Sequence, residues 1–134
     1  MSRFGDAATD AKLAHIRDNC DVIHVVPRAQ ENEQTYASLV AATLGNFSTS
    51  SANFTAPGAG DAADSRKTVC GPLTGGAATA DYNGTDLITL AGVDTVNGQV
   101  LFTTNVTAAA FSNGDELNIS AAFDIEQTAD VTVG

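Results

Sequence analysis

The chain has 134 residues, 43% of them apolar, with six Phe, two Tyr and no Trp; sixteen acidic and six basic residues give a formal charge of −10. That length suits one domain, and the shortage of large anchors predicts a thin core of β-branched and small side chains. Every basic residue lies at or before Lys67, so the surface repels a phosphate backbone, which argues against DNA and RNA as direct partners.

The N-terminal residues run from Met1-Ser2-Arg3-Phe4 straight into a polar helical pattern, without the apolar stretch of a signal peptide. No run approaches the roughly twenty apolar residues that span a bilayer, so no membrane partner is expected. In residues 5–19, Ala8, Leu13 and Ile16 share a helical stripe while Asp10, Lys12, Arg17 and Asp18 fall mostly elsewhere. This predicts a short amphipathic helix, with Gly5 or Asp6 to cap its start and Asn19 to end it. Val22 to Val26 is β-branched and closed by Pro27, the pattern of a strand end or edge. Thr35 to Leu44 fits helix or strand equally, and Gly45 ends it either way.

From 45 to 65 the composition shifts to Ser, Thr, Ala, Asn and Gly, interrupted by Asn46-Phe47-Ser48 and Asn53-Phe54-Thr55. The stretch reads as a flexible arm that either binds a partner or holds a short strand near Phe54. Residues 66–128 read as an antiparallel meander with turns at Asn83-Gly84, Asn97-Gly98 and Asn113-Gly114, where Asn and Gly tolerate positive φ. Leu87 to Val93 and Gln99 to Val106 are strands, and Leu117, Ile119, Ala121, Phe123 and Ile125 alternate with polar residues as one strand with a core face. Asp130 to Gly134 adds an edge strand or frays. The expected fold is a single, mainly β domain over residues 1–134: an antiparallel sandwich or open barrel with one short N-terminal helix.

Catalysis needs a nucleophile, a base and a group that stabilises charge. His15 lies near the helical stripe and His24 inside an apolar strand, where an imidazole with one satisfied hydrogen bond is the plainer reading. No nucleophile elbow or phosphate loop is present. Two His and two Cys offer no zinc spacing, and no metal or cofactor is expected. Calcium has weak candidates in Asp94 with Asn97, and in Asn113, Asp115 and Glu116, but Asp and Asn are ordinary turn formers. Cys20 and Cys70 read as buried free thiols rather than a long-loop disulfide.

The order of elements, with the run LITLAGVDTVNGQVLFTTNVTAAAFSNGDELNISAAFDIE, resembles the small virion structural proteins of tailed bacteriophages. The most specific part is Leu87 to Glu126. The resemblance implies a non-enzymatic, many-copy particle protein made in the host cytoplasm, first of all a capsid decoration or cement protein on the outer capsid surface. Its partners would then be the major capsid protein and further copies of itself as a homo-oligomer. The alternative within that group is a tail- or neck-associated or host-recognition module. Phe47 and Phe54 are candidate anchors on the shell, or else core residues, and Arg28, Arg66 and Lys67 are candidate partners for acidic capsid groups.

Overall fold

The structure is a computed structural model that describes residues 2–3, 5–61, 65–128 and 130–131. Its elements are β1 (Ser2–Arg3), α1 (Asp6–Asn19), β2 (Val22–Pro27), α2 (Tyr36–Ala41), β3 (Gly45–Ser48), β4 (Gly58–Ala59) and β5 (Ser65–Cys70). They continue with β6 (Leu73–Ala78), β7 (Ile88–Asp94), β8 (Gln99–Val106), β9 (Glu116–Ile119), β10 (Phe123–Thr128) and β11 (Asp130–Val131), with 3₁₀ turns at Arg28–Gln30 and Ser51–Asn53.

Two antiparallel sheets carry the fold. One is six-stranded, ordered β8-β7-β2-β3-β6-β9, and the other three-stranded, ordered β10-β5-β4, while β1 pairs with β11 alone. The larger sheet ends on β8 and β9, which do not pair with each other, so no barrel closes. Between the sheets lies a core built from Ile23, Val25, Phe47, Phe54, Cys70, Leu90 and Phe102 among others. A second, smaller cluster of Val26, Leu39, Ala91 and Val93, with Tyr36 packed on it, brings α2 against β2 and β7. Because both faces of β7 are covered, all seven of its residues are buried, which accounts for its mainly small and apolar side chains, while the polar Thr89 and Asp94 are hydrogen-bonded to Asn105 and to the hairpin turn.

Several sequence expectations hold. The N-terminal helix occupies Asp6–Asn19 behind Gly5 as N-cap, with Leu13 buried, and it packs against β5 and β10. Thr9 rather than Ala8 completes its buried side. Asn19 stays helical and its side-chain amide donates to His15 O at 2.8 Å, while Cys20 ends the helix in extended backbone. Thr35 to Leu44 resolves as helix over Tyr36–Ala41. The Asn97-Gly98 turn joins β7 to β8 as a true hairpin, with Gly98 at φ 64°.

Other expectations are refined or corrected. Among the described residues of 45–65 the alternative of a short strand near Phe54 holds, in the Phe54–Cys70 bridge, and the stretch also supplies β3, which lies inside the larger sheet between β2 and β6. Asn53 O accepts from Gly71 N at 2.9 Å and Thr55 N donates to Val69 O at 2.9 Å, so main-chain bonding rather than hydrophobicity orders these polar residues. The meander over 66–128 is likewise not local. Only β7 and β8 pair as sequence neighbours there, because β6 pairs with β3 and β9, and β5 with β4 and β10. The alternating run from Leu117 is two strands: it breaks at Ser120–Ala122 and passes from the larger sheet as β9 to the smaller as β10. Ala121, at that corner, is exposed. Pro27 does end a strand, but β2 is central to its sheet rather than an edge. The tail pairs through Asp130–Val131 with Ser2–Arg3, and Thr132 to Gly134 lie outside the described residues.

Candidate functional site

The residues first offered as partner contacts are occupied within the fold. Phe47 is 2% exposed on β3, and its ring lies over Gly76, where an added Cβ would approach it to 2.6 Å. Phe54 is 7% exposed and meets Phe102 edge-on with centroids 6.5 Å apart. Both fill the protein's own core. Arg66 makes a paired contact with Asp10, Nε to Oδ1 at 2.8 Å and Nη2 to Oδ2 at 2.9 Å, which ties β5 to α1. That guanidinium holds the Asp10 carboxyl below its ordinary value. Lys67 Nζ donates to Asp61 at 2.8 Å and Asp124 at 3.1 Å, linking β5 to β10 across the ladder. Arg28 Nη2 donates to Ile88 O at 2.9 Å and Val106 O at 3.2 Å, while its Nε is buried with no hydrogen-bond partner among the described residues. These three of the six basic residues serve as intramolecular clamps on a chain of net charge −10.

The titratable groups singled out from the sequence do not converge. His24 is buried with Nδ1 at 2.9 Å from Thr43 Oγ1, and burial lowers its pKa. His15 sits on α1 beside Asn19. Cys20 and Cys70 are buried free thiols, pushed up by burial to about 11 and about 12. Among the described residues no three His, Cys, Asp or Glu side chains come together as metal ligands. Asp94 instead organises the β7–β8 hairpin, accepting from Val96 N, Asn97 N and Asn97 Nδ2 at 3.0, 3.1 and 2.7 Å.

What sequence reasoning missed is a pocket of about 560 Å³ at the end of the sandwich where β7 begins. Tyr82 and Phe111 form its aromatic side, with centroids 5.2 Å apart and reciprocal main-chain bonds of 2.8 and 3.1 Å. Asp81, Asp86 and Asp115 line it together with Leu87, which is 59% exposed. Each carboxylate accepts from a donor at the pocket: Asp81 from Asn113 N of the facing turn at 2.8 Å, Asp86 from its neighbour Asn83 Nδ2 at 2.9 Å, and Asp115 from its neighbour Ser112 N at 2.8 Å. The Asn-Gly turns that looked like simple punctuation therefore hold the pocket's acids in place. The chemistry on offer is recognition: a hydrogen-bonded anionic concavity with aromatic and aliphatic walls, suited to a basic side chain with an apolar stem. A second cleft of about 740 Å³ opens between Asn105–Phe111 and the β9–β10 corner, its rims formed by Thr107–Ala110 and Ser120–Ala122, small and uncharged.

Fold and site define an antiparallel two-sheet β protein with an acidic, aromatic-walled pocket at one end. No protein-family model, curated protein or solved structure matches the chain.

Proposed function

We propose that this chain is a non-catalytic virion structural protein of a tailed bacteriophage, a decoration protein that binds the outside of the major capsid protein shell and stabilises the head. The observation that carries the reading is the anionic pocket of Asp81, Asp86 and Asp115 beside Tyr82 and Phe111. A charged site on an acidic body attracts basic side chains over a distance set by salt and gives each copy the same orientation on a repetitive shell. The resemblance of Leu87 to Glu126 to small virion proteins supports the same assignment, and the internal use of Arg28, Arg66 and Lys67 favours acidic rather than basic contacts to the shell.

The test is quantitative mass spectrometry of intact virions together with heat release of DNA from particles lacking the protein. Hundreds of copies on the head, and genome loss at lower temperature without them, are expected. A handful of copies indicates a tail or neck component, and unchanged heat release removes the stabilising role. Replacing Asp81 and Asp115 by Asn should weaken attachment, and wild-type attachment should itself weaken as salt rises.

A further inference from the structure

Protein interiors pack closely and leave few voids larger than a water molecule, whereas small-molecule sites are largely apolar clefts of about 300–1,000 Å³ with a few placed polar groups. The cleft between Asn105–Phe111 and the β9–β10 corner, about 740 Å³, has the second character. Its floor includes Phe47, Leu90 and Leu117, all buried, and its walls include Val106, Ile119 and Phe123, which stay partly exposed. The rims, Thr107–Ala110 and Ser120–Ala122, carry no side chain larger than Thr that could close over the mouth. An aliphatic tail fits such walls and takes their apolar surface out of water.

Arg28 sets the head group. Ile88 and Val106, whose carbonyl oxygens accept from its Nη2 at 2.9 and 3.2 Å, line the cleft with it, which fixes the guanidinium at the β7–β8 side. Arg66 and Lys67 are each matched by carboxylates, but Arg28 makes no ion pair among the described residues. Its Nε is buried, which leaves Nη1, unbonded among the described residues, as the nitrogen open to an acceptor. A guanidinium favours an anionic acceptor over a neutral one, because hydrogen bonds between charged groups are shorter and stronger. The chain's own acids do not supply it. Of the sixteen, Glu116 alone lines the cleft, and it is exposed on β9, where strand alternation sets it on the opposite face from buried Leu117. The others act from outside the cleft, where salt largely screens exposed charges beyond about 8 Å.

We infer that this cleft is a binding site for a small amphiphilic carboxylate, with its aliphatic tail along the apolar floor and its head group on Arg28. The site adjoins the pocket of Asp81, Asp86 and Asp115, sharing Ile88, Ala110 and Phe111 with it, yet takes a ligand of opposite charge. It stands whether or not the chain decorates a capsid.

Isothermal titration calorimetry of the full chain with octanoate tests this. Octanoate should bind about tenfold more tightly than 1-octanol, which has the same tail and no charge. Butanoate should bind more weakly than octanoate, by up to about fourfold for each methylene removed. Ala121→Phe, at the exposed corner, places a ring in the mouth and should block octanoate and 1-octanol alike. Arg28→Gln should abolish the preference for octanoate and leave 1-octanol binding unchanged. If Arg28→Gln does not fold, having lost its bonds to Ile88 and Val106, nuclear magnetic resonance of wild type decides. Both ligands should then shift the amides of 107–110 and 120–122, and octanoate alone the Arg28 guanidinium signals. No binding of octanoate, equal binding of 1-octanol, or binding untouched by Ala121→Phe would overturn the inference, as would octanoate shifts that bypass Arg28.

Discussion

Gly92 on β7 lies directly opposite Phe102 on β8, and the Phe102 ring occupies the space that a side chain at position 92 would fill. That ring also packs edge-on to Phe54 and at 6.5 Å from Phe123, so it joins the larger sheet to the smaller. Gly92→Ala forces the ring out of this junction. The expected cost is about 1–3 kcal/mol, read as a lower urea midpoint with an unchanged slope. Removing the ring as well, in Gly92→Ala/Phe102→Leu, should recover part of the loss, because the two positions share one space.

The thiols give a chemical readout of the same core. Cys20 Sγ lies 3.6 Å from both Val22 O and Thr49 Oγ1, and Cys70 pairs across the ladder with Phe123. With their pKa values raised to about 11 and about 12, both stay protonated in the folded protein at neutral pH. A thiol reagent at pH 8 should leave the native chain unlabelled and modify both sites in guanidinium. The raised values also fix the alkaline limb. The unfolded thiols ionise near 9 and the folded ones do not, so stability present below pH 9 is lost as pH rises toward 11–12.

On the acid side two steps are expected. Burial lowers the His24 pKa below 6.5, so the unfolded chain takes up a proton that the folded chain resists, and stability falls as pH drops through that region. The Asp10, Asp61 and Asp94 carboxyls are held below 3.8 by Arg66, Lys67 and Asn97 respectively. Their contribution is present above pH 3.8 and disappears as pH falls through their folded values. Urea unfolding from pH 8 to pH 2 checks both steps. His24→Asn, which keeps a polar atom near Thr43, should flatten the first decline, and Asp10→Asn should flatten the second.

Which parts of this fold were legible in the sequence depends on whether the deciding interaction was local. The α1 stripe at Leu13 and Ile16, the β2 run and the Asn97-Gly98 hairpin are set by residues a few positions apart, and these readings hold. Partners distant in the chain left no such mark. Gly45 pairs with Val25 and Ala78, and Phe54 with Cys70, which turned a Ser- and Thr-rich stretch into ordered core. Strict alternation from Leu117 to Ile125 hid the corner at Ser120–Ala122, since a strand that changes sheets can keep its apolar period. The pocket was invisible for a related reason: Asp81 and Asn113 meet only because the Tyr82–Phe111 bridge brings two turns together.

The roles of Phe47 and Phe54 separate core from contact most directly. A surface anchor truncated to Ala weakens attachment and leaves folding alone, whereas a core ring does the reverse. Phe47 sits in the centre of the larger sheet, close over Gly76, and Phe54 seals the junction with Phe102, so neither site can collapse fully around an Ala. Phe47→Ala and Phe54→Ala should each cost about 3–5 kcal/mol of stability. Val96, 86% exposed at the tip of the β7–β8 hairpin, provides the contrast: Val96→Ser should change stability by no more than about 0.5 kcal/mol. Urea midpoints of the three variants rank them. Under the proposed capsid role, attachment to purified shells, measured at a temperature where each variant is still folded, should match wild type for both Phe substitutions, because the rings are buried in the protein's own core.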